Sequence, residues 1–518
     1  MTNLHNAVIE AGNLPFEVAD WVSYESAGRL LVIGDAANIN AVIAHCHGLV
    51  IEVLILDGGE LVTEQPVTRL KGELTELSGW LGDFSAVVAG VKQKYDLVLD
   101  LSEQPLMTMV VSPIGYFAPA DNPQALAEAL KQLPDLVGTF DKPKFFNYKS
   151  SICAHKRRGV SACEQCLDAC PADAIQSFGE QIQVNPNLCQ GCGSCTTVCP
   201  SGAISYALPT LDHSLERLRA MFKQYKAVED KPMQLLIHDS LQGEQLLSVY
   251  AEQLPDNIVP FAIEEIGALG LPFWLAALAY GAANITVWDA GSHQDHDWQG
   301  VQQQISLAND MIAGLGFEQA ISWFNGQRID ALKTHLNQQP KMLLSEAASF
   351  AGLDDKRRVS HLALTHLHQY APAPIAELKL TDTAPFGEIK VNAEGCTLCM
   401  SCVSVCPVGA LVDGVDKPQL NFIEDLCVQC GMCETACPEK VIELSPRYLF
   451  DREQARQKRL LHEEPVFHCI SCHKPFATQK MIDTIIGKLK DHPMFQDGKL
   501  EHLKMCEDCR VKAQFRRS

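Results

Sequence analysis

The stretches CTLCMSCVSVCP, residues 396–407, and CVQCGMCETACP, residues 427–438, repeat one cysteine spacing. In each stretch three cysteines recur at every third position, and a fourth stands directly before a proline. Three thiolates on one short loop can surround a cuboidal 4Fe–4S cluster, but the fourth thiolate of the stretch ligates the other cluster. We therefore predict two clusters held by crossed sets, namely Cys396, Cys399, Cys402 and Cys437, and Cys427, Cys430, Cys433 and Cys406.

A second pair of motifs departs from this pattern. CQGCGSCTTVCP, residues 189–200, is complete, whereas Val160 stands where the preceding motif needs its first cysteine. Either Cys153 completes a 4Fe–4S cluster, or the site holds a three-iron cluster or none. The polar segment 155–162 contains a glycine and can loop, which favours Cys153. The predicted sets are Cys153, Cys163, Cys166 and Cys199, and Cys189, Cys192, Cys195 and Cys170.

The C-terminal tail contains two further pairs of cysteines, Cys469 with Cys472 and Cys506 with Cys509. Two such pairs make a tetrahedral thiolate site, for which we favour structural zinc over a rubredoxin-like single iron or no metal. Cys469 to His473 also matches the attachment pattern of c-type haem. Haem attachment takes place outside the cytoplasm, and the N-terminal residues do not resemble an export signal, so we predict zinc.

Composition predicts a folded, cytoplasmic, multidomain protein. The chain has 518 residues, of which 47% are hydrophobic. A chain of this length is too long to form a single hydrophobic core, so we expect several domains. A net charge of −21 disfavours nucleic acid as a partner. The 21 cysteines are tightly spaced in a long chain, which indicates metal binding rather than secreted disulfides. The uncharged stretch 266–288 contains Pro272 and glycines, so we predict a buried helix, Leu271–Ala282, and a strand rather than a membrane span.

The fold class that we predict is α/β and α+β, multidomain. Apolar strands at Gly28–Gly34, Leu49–Leu56 and Tyr95–Leu101, with a helix at Asn38–His47, indicate an N-terminal α/β domain at 1–148. A strand at Gln234–His238 opens a middle α/β domain at 231–380. The other predicted segments are two two-cluster ferredoxin-like modules at 149–208 and 381–446, a helical linker at 209–230, a charged helix at 447–464 and the metal-binding tail at 465–518.

Three weaker patterns leave alternatives. Gly34-Asp35-Ala36 follows a strand and could hold a nucleotide phosphate, but the glycine-rich fingerprint is incomplete, which favours a turn capped by Asp35. His45-Cys46-His47 is best interpreted as a helix end near the core rather than a metal site. The basic residues 156–158 either favour the reduced state of a nearby cluster or form a solvated loop.

The cysteine spacing resembles that of two-cluster bacterial ferredoxins, which implies pseudo-symmetric α+β modules with a hairpin at Ala410–Phe422. The middle domain resembles the delta subunit of methyl-viologen-reducing hydrogenase, but it has no cysteine for a further cluster; the stretches are 254–258, 265–267 and 279–282. The whole layout resembles bacterial multi-cluster 4Fe–4S proteins encoded with molybdenum formate dehydrogenases, in the stretches 95–102, 113–116, 153–155 and 505–510.

These patterns predict an electron-transfer protein with four 4Fe–4S clusters and no catalytic residues of its own. It would relay single electrons to or from a redox enzyme, and the resemblance implies formate dehydrogenase as that partner. One alternative is an oxidoreductase subunit that binds flavin or a nicotinamide nucleotide in an α/β domain. Another is an assembly factor for a partner enzyme.

Overall fold

A computed structural model describes residues 2–250, 254–291, 298–339, 341–342, 344–352, 355–415, 417–495 and 499–515. Two units built on parallel sheets alternate with two cysteine-rich units, and a small tail follows. Among the helices of these residues, none is long and apolar enough to cross a membrane.

The N-terminal unit is a parallel five-stranded sheet with helices Ala36–Val42 and Pro123–Gln132. Five of the six residues of its central strand are buried, as a strand covered on both faces requires. The strands in spatial order are Val67–Arg69, Val50–Ile55, Arg29–Gly34, Leu97–Asp100 and Tyr116–Phe117. An antiparallel sheet and a strand pair complete the unit: Leu74–Ser78, Phe84–Val88 and Val91–Tyr95, and Trp21–Ser26 with Gly138–Pro143. The predicted strands are confirmed with slightly shorter bounds.

Two local predictions in this unit have different outcomes. The chain after helix Ala36–Val42 makes a short turn at Ile43–His45, and Cys46 is buried there, which confirms the helix end near the core. The cap assigned to Asp35 is wrong, because its side chain makes no capping hydrogen bond. Asp57 accepts the hydrogen bond from the Ala36 amide instead, at 3.1 Å. A carboxylate from the end of the next strand therefore caps this helix.

The middle unit is a parallel four-stranded sheet whose two central strands are buried at every residue. Its strands in spatial order are Ile258–Ile263, Gln234–Asp239, Asn284–Asp289 and Ile321–Asn325. Its helices are Gln242–Tyr250, Leu271–Ala279, Gln299–Gly314, Ile329–Gln338 and Lys356–Gln369. Every residue of Leu271–Ala279 is buried, so the uncharged stretch is confirmed as a core helix followed by a strand.

The predicted linker is the helix Leu211–Lys226, which packs its apolar face into the core of the middle unit. The N-terminal helix Asn3–Ala11 also packs here, because Val8 joins this core with Leu215 and Met221. The first residues of the chain therefore lie outside the N-terminal sheet unit in which the predicted domain had placed them.

The first cysteine-rich unit contains three short antiparallel strand pairs and the helices Gln165–Asp168 and Ser194–Val198. The pairs are Phe146–Tyr148 with Ile204–Tyr206, Lys156–Arg157 with Val160–Ser161, and Ile175–Phe178 with Gln181–Val184. The second unit has the helices Ser401–Val405 and Met432–Thr435. Its two sheets are Glu377–Lys379, Ile442–Leu449 and Gly387–Val391, and Leu411–Asp413, Gln419–Phe422 and Arg459–Glu463. The hairpin predicted at Ala410–Phe422 is confirmed.

The charged helix predicted at 447–464 is wrong. The helix comprises only Arg452–Arg456, between the strands Ile442–Leu449 and Arg459–Glu463. Both strands pair with the second cysteine-rich unit, and this pairing overrides the helical propensity of the charged residues. The tail follows with the strand pair Val466–His468 and Pro475–Thr478 and the helices Gln479–Leu489 and Glu507–Phe515.

Candidate iron–sulfur and metal centres

The second cysteine-rich unit brings its predicted sets together in the crossed arrangement. One cavity is lined by Cys396, Cys399, Cys402 and Cys437, which we call the Cys396 set. Burial, followed by its three partners in the set, raises the pKa of the Cys402 thiol to about 12. A second cavity is lined by Cys406, Cys427, Cys430 and Cys433, the Cys406 set. Thiols this close and this dry are costly to ionise unless a cation joins them, which suits iron ligation.

The first unit also groups its cysteines, and a hairpin places Cys153. Arg158 and Gly159 have positive φ angles of 50° and 80° and form the turn between two short strands. The amide of Cys163 donates to the carbonyl oxygen of Ala154 at 3.1 Å, so the chain returns beside Cys153. Burial and three neighbouring cysteines together raise the pKa of Cys166 to about 12. We call this group the Cys153 set: Cys153, Cys163, Cys166 and Cys199. The hairpin therefore brings Cys153 beside the other three cysteines of this set, so that Cys153 takes the place of the cysteine that is missing at position 160.

The fourth group lies where the middle unit packs on the first cysteine-rich unit. Burial, together with the nearby Cys170 and Cys189, raises the pKa of Cys192 to about 12. Burial likewise holds the pKa of Cys195 well above its ordinary value. We call this group the Cys170 set: Cys170, Cys189, Cys192 and Cys195.

The backbone of the complete motifs repeats one conformation. The second and fourth residues after the first cysteine have positive φ: Gly191 and Gly193, Leu398 and Met400, Gln429 and Gly431. Side chains other than glycine pay about 1–2 kcal/mol for this conformation. In this conformation the amides of Gly191, Leu398 and Gln429 donate to the sulfurs of Cys189, Cys396 and Cys427, respectively. After the fourth cysteine, the amides of Ala174 and Ala410 donate to Cys170 at 3.3 Å and Cys406 at 3.2 Å. Amide donors aimed at buried thiolates fit a 4Fe–4S cluster, whose sulfurs accept such bonds.

The four sets lie in a row. Cys195 of the Cys170 set interacts electrostatically with Cys166 of the Cys153 set. Cys163 of the Cys153 set interacts in the same way with Cys430 of the Cys406 set. Cys433 of the Cys406 set then interacts with Cys402 of the Cys396 set. The helix Met432–Thr435 also contacts the strand Val160–Ser161 across the two units.

The two ends of the row differ in exposure. At one end Cys399 of the Cys396 set is exposed. At the other end the middle unit approaches so closely that a Cβ added to Gly193 would lie 2.5 Å from the amide nitrogen of Ala268. The Val111 amide of the N-terminal unit donates to the carbonyl oxygen of Pro171 at 2.8 Å, which covers the same end. The row therefore opens to solvent at the Cys396 set.

Sequence reasoning missed three partly buried cations beside the cysteines. Burial lowers the pKa of Lys142 to about 8, and this side chain donates to the carbonyl oxygen of Cys189 at 2.7 Å. Lys356 and Arg357, which lie far away in sequence, adjoin Cys199 and Cys427 respectively. Within the same motif, the charged residue that acts on Cys163 is the acidic Asp168, which raises the pKa of this thiol. An effect of the basic residues 156–158 on a cluster stays a prediction.

The tail brings together Cys469, Cys472, Cys506 and Cys509, whose sulfur atoms all lie within 4.8 Å of one another. The amide of Ser471 donates to the Cys469 sulfur at 3.4 Å, a bond that stabilises a thiolate. Four thiolates at this separation fit one tetrahedral ion, either zinc or a single iron. The tail is attached beside the Cys396 set, where Lys480 donates to the carbonyl oxygen of Ala393 at 3.0 Å.

Clustered thiols, hydrogen-bonded sulfurs and ferredoxin-like hairpins define an iron–sulfur protein with ferredoxin-type modules. Residues 160–208 match the LdpA Fe-S cluster-binding domain, and residues 395–442 match the 4Fe-4S dicluster domain. A ferredoxin from Rickettsia felis is 30% identical over 82 residues, which are 15% of this chain and 75% of that protein. The chain belongs to the 4Fe–4S ferredoxin family.

Other relatives match over shorter parts. Hydrogenase-4 component A of Escherichia coli K12 is 51% identical over 56 residues, which are 10% of this chain and 24% of that protein. A ferredoxin from Alicyclobacillus acidocaldarius is 44% identical over 39 residues, which are 8% of this chain and 50% of that protein. The chain thus spans half or less of these two relatives. The matches support 4Fe–4S binding and electron transfer.

Proposed function

We propose that this protein relays single electrons through four 4Fe–4S clusters, one on each cysteine set, to or from a partner redox enzyme. Each bound cluster supplies the uptake and release of one electron. The chain holds the carriers, excludes water from them and fixes the order of the row. In this role the protein carries electrons and does not itself convert a substrate.

The observation that carries the proposal is the junction between the two cysteine-rich units. Cys163 and Cys430 belong to different units, far apart in sequence, and yet they interact. Two ferredoxin modules that worked separately would not need this contact. Together with the two contacts inside the units, it joins the sets in the order Cys170, Cys153, Cys406 and Cys396.

We propose that the partner exchanges electrons at the Cys396 set, and the exposure of Cys399 supports this proposal. The partner that we propose is an oxidoreductase, and the sequence resemblance points to formate dehydrogenase. The likeness to hydrogenase-4 component A supports a hydrogenase-type complex as the second candidate. We propose a cytoplasmic location, where thiols stay reduced, and one structural zinc in the tail.

A nucleotide-binding oxidoreductase is not favoured by the parallel-sheet units. In the N-terminal unit, the amide at the start of the helix Ala36–Val42 is occupied by Asp57. In the middle unit, Asp239 accepts from the amides of Leu241 at 3.0 Å and Gly243 at 3.2 Å, where a phosphate would bind. Carboxylates at both positions repel an anionic phosphate.

The test reduces the anaerobically purified protein with a viologen and follows the order in which its clusters become reduced. Cys430→Ser is expected to leave the Cys396 set reducible and to slow reduction of the first unit. The matched control is Cys46→Ser, because this buried thiol belongs neither to the four sets nor to the four cysteines of the tail. Equal reduction rates in Cys430→Ser and the control would reject the relay. Clusters that no redox partner reduces would favour the assembly factor.

A further inference from the structure

The helix Lys356–Gln369 begins between the two cysteine-rich units. Asp355 caps it by accepting from the Arg358 amide at 3.0 Å, which fixes the direction of the first turn. The first two side chains of this helix, Lys356 and Arg357, then extend to different units. Both belong to the middle unit, which contains no cysteine.

Lys356 binds the first cysteine-rich unit. Its ammonium group donates to the carbonyl oxygens of Thr196, of Thr197 at 3.3 Å and of Cys199 at 3.2 Å. An ammonium group has three donors, and three carbonyl oxygens receive them here, so the geometry fits the charged form. These carbonyls end the helix Ser194–Val198, which lies between the Cys170 and Cys153 sets. The charge of Lys356 acts on Cys199 and Cys195, one from each set.

Arg357 binds the second unit in a matching way. Its guanidinium donates to the carbonyl oxygens of Asp425 at 2.6 Å and Pro385 at 2.6 Å, and it lies 4.9 Å from the centre of the Phe386 ring. Asp425 stands two residues before Cys427, so the bond fixes the start of the Cys406 set. The charge of Arg357 acts on Cys427.

We infer that Lys356 and Arg357 are positioning residues that clamp the two units together and favour electrons on the two sets at the junction. This inference rests on the proposed relay and deepens it. Both side chains are anchored on carbonyl oxygens. The carboxylates of Asp355 and Glu424 also act on Arg357, but they do not receive these hydrogen bonds. A cluster gains negative charge with each electron, and a fixed buried cation stabilises that charge. The clamp therefore sets both the spacing of the junction and the energy of an electron there.

The test compares Lys356→Met and Arg357→Met with the wild-type protein by redox titration followed with electron paramagnetic resonance. We expect lower midpoint potentials for the Cys153 and Cys170 sets in the first variant and for the Cys406 set in the second. The Cys396 set should keep its potential in both. Lys223→Met, an exposed lysine on the linker helix, is the matched control and should change none. Unchanged potentials in both Met variants would overturn the inference.

Charge-conserving variants separate spacing from charge and remain useful if the Met variants lose clusters. Arg357→Lys keeps the charge but cannot reproduce the planar donor fork. We expect weaker magnetic coupling between the reduced clusters of the two units, with potentials close to those of the wild type. Coupling equal to the wild type would overturn the clamp. Failure of the relay itself would show differently, as a wild-type protein that lacks coupling between the two units from the start.

Discussion

Replacement of Arg447 by Met should severely destabilise the second cysteine-rich unit. Arg447 donates to both carboxylate oxygens of Glu424, at 2.9 and 2.7 Å, and lies 3.0 Å from Glu388. The side chain of Glu424 is only 9% exposed, so loss of Arg447 leaves this carboxylate poorly hydrated and without its partner, whereas Glu388 keeps Arg459 at 2.7 Å. Breaking one partner of such a buried ion pair costs about 3–5 kcal/mol. The effect should extend to the Cys406 set, because Glu424 stands three residues before Cys427.

The assay is urea unfolding under anaerobic conditions, followed by the visible absorbance of the clusters. With a slope of about 2 kcal/mol per M urea, the expected loss lowers the midpoint by about 2 M. The control Lys417→Met breaks the exposed pair with Glu463 and should cost at most about 1 kcal/mol. The loss in Arg447→Met should shrink as the pH falls, because an unpaired carboxyl has a raised pKa and folding then favours its protonated form. A midpoint within about 0.5 M of the control would show that Arg447 does not stabilise this unit through a buried ion pair.

Three further predictions follow from individual side chains. Cys153→Ala should convert one 4Fe–4S centre into a three-iron centre, and an unchanged electron paramagnetic resonance spectrum would exclude Cys153 as a ligand. Cys506→Ser should abolish binding of about one zinc per chain and speed proteolysis of the tail, while the 4Fe–4S absorbance remains; zinc retained in the variant would exclude this site. Burial and nearby arginines hold the pKa of His361 well below its ordinary value, so the folded state binds fewer protons and stability should fall as the pH drops below about 6.5. His361→Gln should flatten that dependence of the unfolding midpoint, and an unchanged slope would contradict it.

The sequence predicts which cysteines lie together because the spacing of cluster ligands is local, and their roles as ligands stay a prediction. Crossing of the fourth cysteine follows from the geometry of one loop, and the structure groups the same residues. The role of Cys153 could also be proposed from the sequence, because a glycine in a short polar segment permits the turn that the structure forms at Arg158 and Gly159. In each case the signal lies in one short motif or loop, although the crossed fourth cysteine comes from the other motif of the pair.

Contacts between residues that are far apart in the sequence could not be predicted in this way. Lys356 and Arg357 stand in a charged run that is typical of a solvated helix start, and only the packing of three units buries them. Asp57 caps a helix that begins 21 residues earlier, so the sequence pattern favoured the adjacent Asp35. The segment Arg452–Arg456 has helical propensity, but the flanking strands pair with the second cysteine-rich unit and restrict the helix to five residues.

The central prediction is that sixteen cysteine thiols hold four 4Fe–4S clusters in one continuous row. The direct measurement is the iron and acid-labile sulfide content of anaerobically prepared protein, together with the spin count of the fully reduced sample. We predict about sixteen irons in 4Fe–4S clusters and magnetic coupling that joins both units. About eight irons, or two uncoupled pairs of spins, would contradict it.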